Sequence, residues 1–196
     1  DINGVPFINL LKTKNIHPGI KVDGGLKALV GSETEKITEG LDNLEKRIEE
    51  YSKVGATFTK WRAVINIGEK IPTNYCLELN AHALARYSRI VQKYNMVPIV
   101  EPEIIMDGSH DIEECFQVTS NTLRIVFEHL KFQGVYLGGI LLKPNMVISS
   151  TNCKKQADIN GVPFINLLKT KNIHPGIKVD GGLKALVGSE TEKITE

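Results

Sequence analysis

Lys21, Lys60, Glu101 and Lys143 stand 39, 41 and 42 positions apart, each in or directly behind a short apolar run. Lysines and a glutamate in such a set can do carbonyl chemistry. A neutral lysine amine attacks a ketone to give a carbinolamine and then a Schiff base, whose cationic nitrogen draws electrons from the adjacent carbon–carbon bond. The amine must first lose its proton. A second ammonium about 4 Å away opposes the charged form by on the order of 4 kcal/mol at an effective dielectric near 20, which is enough in magnitude. This reasoning makes Lys143, beside the apolar Leu141-Leu142, the nucleophile and Lys60 its cationic neighbour. Glu101, at the intervening position, is the acid/base candidate, with Glu103 on the same face to shift or orient it. Arg62 and Lys21 suit a substrate phosphate. Each residue also has an ordinary role open to it. A lone strand-end lysine is more often solvated or salt-bridged, Glu101-Pro102-Glu103 can be a loop with plain ion pairs, and Lys60-Trp61-Arg62 can be a cation and aromatic surface patch.

The elements that must position these residues follow from the interval. About 40 residues is what a parallel strand, its crossover helix and two loops consume. The expected class is therefore α/β, an incomplete TIM (β/α)8 barrel of about four consecutive βα units plus a duplicated unit. Each charge then falls at the C-terminal end of a strand, the face where such barrels carry out catalysis. Strands are expected at 20–23, 56–65, 96–100 and 135–146, the last stopped by Pro144. Amphipathic spacing predicts helices at 40–53, 77–94 and 111–132, with Gly55 as a stop and Asp111 as a cap, and a short helix after Pro6. Gly24-Gly25 leads into a polar stretch that runs to Thr38.

At 196 residues the chain is short of the roughly 250 that a complete eight-unit barrel takes, and it opens on Asp1, so a fragment is expected. Lys plus Arg is 24 against 23 Asp plus Glu, a balance that gives no global attraction to nucleic acid or to an acidic membrane. Cys76, Cys115 and Cys153 are odd in number and lack metal-type spacing, which favours thiols in a reducing, cytoplasmic setting. No run of about 20 apolar residues and no signal-peptide pattern supports membrane spanning or secretion. The five histidines, His17, His82, His110, His129 and His174, show no metal-ligand spacing, so neither a metal nor a cofactor is expected. Residues 1–39 recur unchanged as 158–196. Such identity points to a recent duplication or an assembly artefact rather than a solenoid, which needs about three adjacent units. The chain thus divides into 1–153, a connector at 154–157 and the identical copy at 158–196.

Several strings resemble class I fructose-bisphosphate aldolases when taken together: GIKVD at 19–23, EGLDNL at 39–44, FTKWR at 58–62, LARYSRI at 84–90, VPIVEPEI at 97–104, DGSHDIEEC at 107–115 and LLKPNMV at 141–147. The resemblance runs continuously from residue 1 to about 153. It implies that Lys143 is the Schiff-base lysine, Glu101 the principal acid/base and Lys60 its partner in carbon–carbon cleavage. It further implies that Glu103 supports the site and that Lys21, Asp23 and Arg62 line a phosphate-proximal pocket. The implied reaction of glycolysis is reversible cleavage of fructose 1,6-bisphosphate to dihydroxyacetone phosphate and glyceraldehyde 3-phosphate, without a metal. The resemblance also implies homo-oligomeric assembly and cytoskeletal partners.

Gly24 stands where the family commonly has lysine, and Gly138 where it commonly has glutamate. The strands carrying the family's catalytic aspartate, Gly-rich phosphate loop, phosphate-binding arginine and C-terminal tyrosine have no counterpart here, and the second copy only repeats Lys21 and Asp23 as Lys178 and Asp180. Little or no turnover is therefore expected of the isolated chain. The rival expectations are a non-catalytic, aldolase-derived interaction fragment and another Schiff-base enzyme of the transaldolase kind.

Overall fold

The computed structural model describes residues 3–153; the repeat at 158–196, with Lys178 and Asp180, lies outside the described residues. Among the described residues, four parallel strands form the main sheet: β1 (Gly19–Lys21), β4 (Phe58–Ile65), β5 (Val97–Ile104) and β6 (Leu141–Leu142), lying side by side in chain order. Three helices connect them, namely α2 (Leu44–Val54), α3 (Asn74–Lys93) and α4 (Ile112–Phe132), while α1 (Phe7–Thr13) precedes β1. A fold of this kind, parallel strands alternating with helices, is what the charge spacing requires.

Local chemistry sets the helix ends. Leu44 and Ile48 share the buried stripe of α2, and Gly55 ends that helix at φ 95°, a left-handed conformation that costs glycine little. Thr73 caps α3 by accepting the Cys76 N–H at 3.1 Å, and Asp111 caps α4 by accepting the Glu114 N–H at 2.9 Å. Glu113 and Glu114 in the first turn of α4 and Lys131 in its last suit the helix dipole.

Strand alternation divides β4 into two faces. Thr59, Trp61 and Ala63 are buried toward the helices, whereas Lys60 and Arg62 point to the opposite side. The Trp61 ring lies 5.4 Å from that of Tyr87 on α3, whose hydroxyl is 2.7 Å from Thr59 Oγ1. Val100, Leu84, Val91, Ile125 and Leu130 belong to the same core. Burial pushes the Tyr87 hydroxyl pKa up from its ordinary value.

Two stretches differ from expectation. Residues 25–39 hold an antiparallel hairpin, β2 (Gly25–Ala28) with β3 (Lys36–Glu39), where the sequence suggests only polar chain. Tertiary contacts hold it. Thr38 donates its hydroxyl to the Arg62 carbonyl at 2.7 Å, Asn80 donates to the Lys36 carbonyl at 3.0 Å, and buried Glu35 accepts from the Thr73 N–H and hydroxyl at 2.7 and 2.8 Å. Its hinge needs two glycines: Gly24 donates to the Glu39 carbonyl at 2.7 Å, and a Cβ on Gly40, at φ 121°, would lie 2.5 Å from the Gly24 nitrogen. The adjacent Cys76 thiol is pushed up to about 12, by burial first and then by Glu35.

The second difference is β6. Only Leu141 and Leu142 pair with β5, because a 3-10 turn at Leu137–Gly139 occupies part of the apolar run and Pro144 cannot continue the ladder. A side chain at Gly138 would meet the tip of Tyr136, which is exposed and can swing away.

Candidate active site

Register gathers the charged residues onto the sheet face that looks away from the helices. Lys21 lies opposite Lys60, Lys60 opposite Ile99, and Arg62 opposite Glu101. Lys143 follows directly on β6 and donates its backbone N–H to the Val100 carbonyl at 2.8 Å, so it takes the next place beside Glu101. Side chains opposite one another in neighbouring strands share a face.

Glu101 is the hub. Its side chain is only 3% exposed, yet it carries a charge, and two ammoniums compensate it. Lys143 Nζ donates to Oε1 at 2.5 Å, while Lys60 Nζ sits 2.6 Å from Oε2 as a close ion pair that lacks hydrogen-bond alignment. The lysines are 59% and 32% exposed. The carboxylate thus stands between the two cations, whereas the sequence reasoning sets them against each other directly. A group held there can take a proton from the Lys143 amine and return one.

The remaining charges also pair. Arg62 Nε contacts Glu103 Oε2, so Glu103 reaches the site through the guanidinium rather than through Glu101. Lys21 contacts Asp23 Oδ1. The Asp23 carboxylate is itself buried and also braces the backbone. Its Oδ1 accepts the Gly25 N–H at 3.1 Å and its Oδ2 accepts the Arg62 N–H at 3.3 Å, which ties the exit of β1 to β4. All seven residues singled out in the sequence therefore lie at one end of one sheet face. Arg62 and Lys21 supply cations there that can meet an anionic group.

Asn145 escapes sequence reasoning. Its Oδ1 accepts the Ile104 N–H at 3.2 Å, and its Nδ2 donates to Thr119 Oγ1 at 3.0 Å and to the Met146 carbonyl at 2.9 Å. The side chain thereby continues, past Pro144, the link between β6 and β5 that the backbone cannot. The polar residue just beyond a strand-ending Lys-Pro is the signal that could have found it. Two clefts, of about 580 Å³ around Arg89, Met96 and Tyr136 and about 550 Å³ around Ile71, Leu77 and Val118, both lie apart from the charged cluster. Charge pairing, not concavity, identifies the site on this unit. Among the described residues, no helix is long and apolar enough to cross a membrane.

Comparison with known proteins agrees with the residue pattern. A sequence model described as glycolytic, fructose-bisphosphate aldolase class-I, matches residues 1–160 and again 154–196. A probable fructose-bisphosphate aldolase class 1 of Xanthomonas axonopodis pv. citri is 50% identical over 191 residues, covering 97% of this chain and 57% of that protein. Fructose-bisphosphate aldolase 1 of Toxoplasma gondii is 45% identical over 193 residues, 97% of this chain and 53% of its own. Among solved structures, fructose-bisphosphate aldolase from Plasmodium falciparum, in complex with TRAP and a small-molecule inhibitor, superposes with a TM-score of 0.81 at 45% identity. That match covers 89% of this chain and 51% of the other. The chain spans about half the length of the curated relatives it matches.

Proposed function

Because the chain belongs to the class-I fructose-bisphosphate aldolase family, whose named members are lyases, we propose that its charged sheet face is the Schiff-base half of an aldolase site on a partial (β/α)8 barrel. The single observation that carries this reading is the buried Glu101 carboxylate between the Lys60 and Lys143 ammoniums.

Glu101 accepts a proton from Lys143, and the freed amine attacks the ketone carbon of fructose 1,6-bisphosphate. The carbinolamine loses its hydroxyl as water when a proton returns from the same carboxyl group, leaving an iminium. A base then removes the C4 hydroxyl proton, the C3–C4 bond breaks, and its electrons move into the iminium. Glyceraldehyde 3-phosphate leaves; protonation and hydrolysis release dihydroxyacetone phosphate and restore the amine. Glu101, with Lys60 at its second oxygen, serves the proton transfers. Arg62, held by Glu103, and Lys21, held by Asp23, serve a phosphate. The same reading carries the family's cytoplasmic setting, homo-oligomeric assembly and cytoskeletal partners. The 196 residues span about half the length of these relatives, and the proposal assigns them low turnover when taken alone.

Borohydride reduction in the presence of dihydroxyacetone phosphate tests the proposal. The expected result is a stable adduct on the peptide carrying Lys143, absent from Lys143→Met. An unmodified Lys143 under conditions that label a full-length relative refutes it and favours a non-catalytic interaction fragment. Labelling equally by unphosphorylated ketones favours a transaldolase-like enzyme.

A further inference from the structure

We propose that Arg47, on α2 and outside the charged cluster, is a positioning residue: by drawing the Val22 carbonyl away from β4 it seats the Asp23 carboxylate between Lys21 and Arg62 and so sets both cations for a phosphate. The inference rests on the role given above to Lys21 and Arg62.

The parallel register of β1 on β4 sets Gly19 opposite Phe58 and Lys21 opposite Lys60, and Val22 still donates its N–H to the Lys60 carbonyl at 3.0 Å. One further step of that ladder gives the Arg62 N–H to the Val22 carbonyl and the Gly24 N–H to the Arg62 carbonyl. The chain takes other partners instead. The Val22 carbonyl accepts from Arg47 Nη1 at 2.9 Å, and Gly24 donates to the Glu39 carbonyl at 2.7 Å. The two Arg62 groups so released go to side chains, the N–H to Asp23 Oδ2 at 3.3 Å and the carbonyl to Thr38 Oγ1 at 2.7 Å. All four backbone groups at the break are thus satisfied by exchange.

Arg47 reaches both sides of that break. While Nη1 holds Val22, Nη2 donates to the Gly40 carbonyl at 2.5 Å, so one planar guanidinium clamps the exit of β1 to the turn that follows β3. The consequence reaches the charged face through Asp23, whose side chain is 3% exposed. With Oδ2 on the Arg62 N–H, the carboxylate offers Oδ1 to the Lys21 ammonium and to the Gly25 N–H. A Val22 carbonyl free to take back the Arg62 N–H displaces that carboxylate and leaves both cations without their common brace. Arg47 therefore acts through Val22 and Asp23, not by meeting the ligand.

Arg47→Met, which keeps the apolar stem and deletes both donors, tests this against the unaltered chain. Inorganic phosphate, followed by the NMR shift of the Arg62 amide, should bind about 10-fold more weakly to the variant, the equivalent of one charge-assisted hydrogen bond misplaced. Borohydride trapping on Lys143 should need about 10-fold more dihydroxyacetone phosphate but no more unphosphorylated dihydroxyacetone, a split that general loosening of the fold does not produce. Arg47→Lys keeps the charge but cannot fork across two carbonyls, so it should weaken phosphate in the same direction, and it decides the matter if the Met variant fails to fold. Equal phosphate affinity with and without Arg47, no phosphate response at the Arg62 amide of the unaltered chain, or a parallel loss for both ketones overturns the proposal. An Arg47-dependent phosphate site in a chain that never labels at Lys143 removes the aldolase reading and keeps this one; a labelled Lys143 with phosphate affinity indifferent to Arg47 does the reverse.

Discussion

Removing both lysines that flank Glu101 should cost far more than the two single removals together. Lys60→Met and Lys143→Met each delete one ammonium while keeping an apolar stem of similar size. After either change the carboxylate retains its other partner, at 2.5 Å from Lys143 or 2.6 Å from Lys60. Because the lysines are 32% and 59% exposed, solvent screens each pair, and a single loss is about 0.5 to 1 kcal/mol. The double change strands a charge whose side chain is 3% exposed. Breaking a buried pair typically costs about 3–5 kcal/mol; with one side of this site open to water, an additional coupling of about 2 kcal/mol is the expected size. Urea unfolding read by the emission of Trp61, the only tryptophan and fully buried, measures all four corners of the cycle. Losses that add to within about 0.5 kcal/mol would refute the claim that one carboxylate is shared by both ammoniums.

Asn145→Ala removes the acceptor of the Ile104 N–H and a donor to Thr119, so it should destabilise the unit by about 1–3 kcal/mol; hydrogen exchange at the Ile104 amide should accelerate, and an unchanged rate contradicts the bridging role. Alkaline conditions should destabilise the fold through Cys76 and Tyr87. Both are raised above their ordinary values of 9.0 and 10.0, so the unfolded chain releases their protons first. Their contribution is complete below those values and declines as pH rises toward the folded-state values, at no more than about 1.4 kcal/mol per pH unit for each group. Urea midpoints between pH 8 and 11 should fall, and Cys76→Ala should flatten the part that begins near 9.0; the same slope in that variant counts against the thiol's share.

Much of this architecture can be read from residue order because two periodicities are strong there. The four charges spaced by one βα unit locate β4 and β5, and the apolar stripes with Asp111 and Gly55 locate α4 and the end of α2. The β2–β3 hairpin is hidden because its four-residue strands carry Lys27 and Lys36 and no sustained alternation; the contacts from Thr38 to Arg62 and from Asn80 to Lys36 that hold it join residues 24 and 44 positions apart. Hydrophobicity alone overestimates β6, since Leu137–Gly139 turn before the strand begins. Residue types identify the members of the charged cluster but not their order in space. Neither Glu101 lying between the lysines nor Glu103 turning to Arg62 has a counterpart in spacing, because both depend on which rotamers the face allows.

The way these charges are matched has a kinetic corollary. Four cations, Lys21, Lys60, Arg62 and Lys143, face three anions, Asp23, Glu101 and Glu103, so the cluster projects a single positive unit into bulk water. On the proposed reading, a phosphorylated sugar approaching from several Debye lengths away would feel little pull. Its attraction begins at close range, when a phosphate displaces a carboxylate from its guanidinium or ammonium. Capture should therefore respond only weakly to ionic strength, and selectivity should reside in that exchange of counterions rather than in long-range guidance.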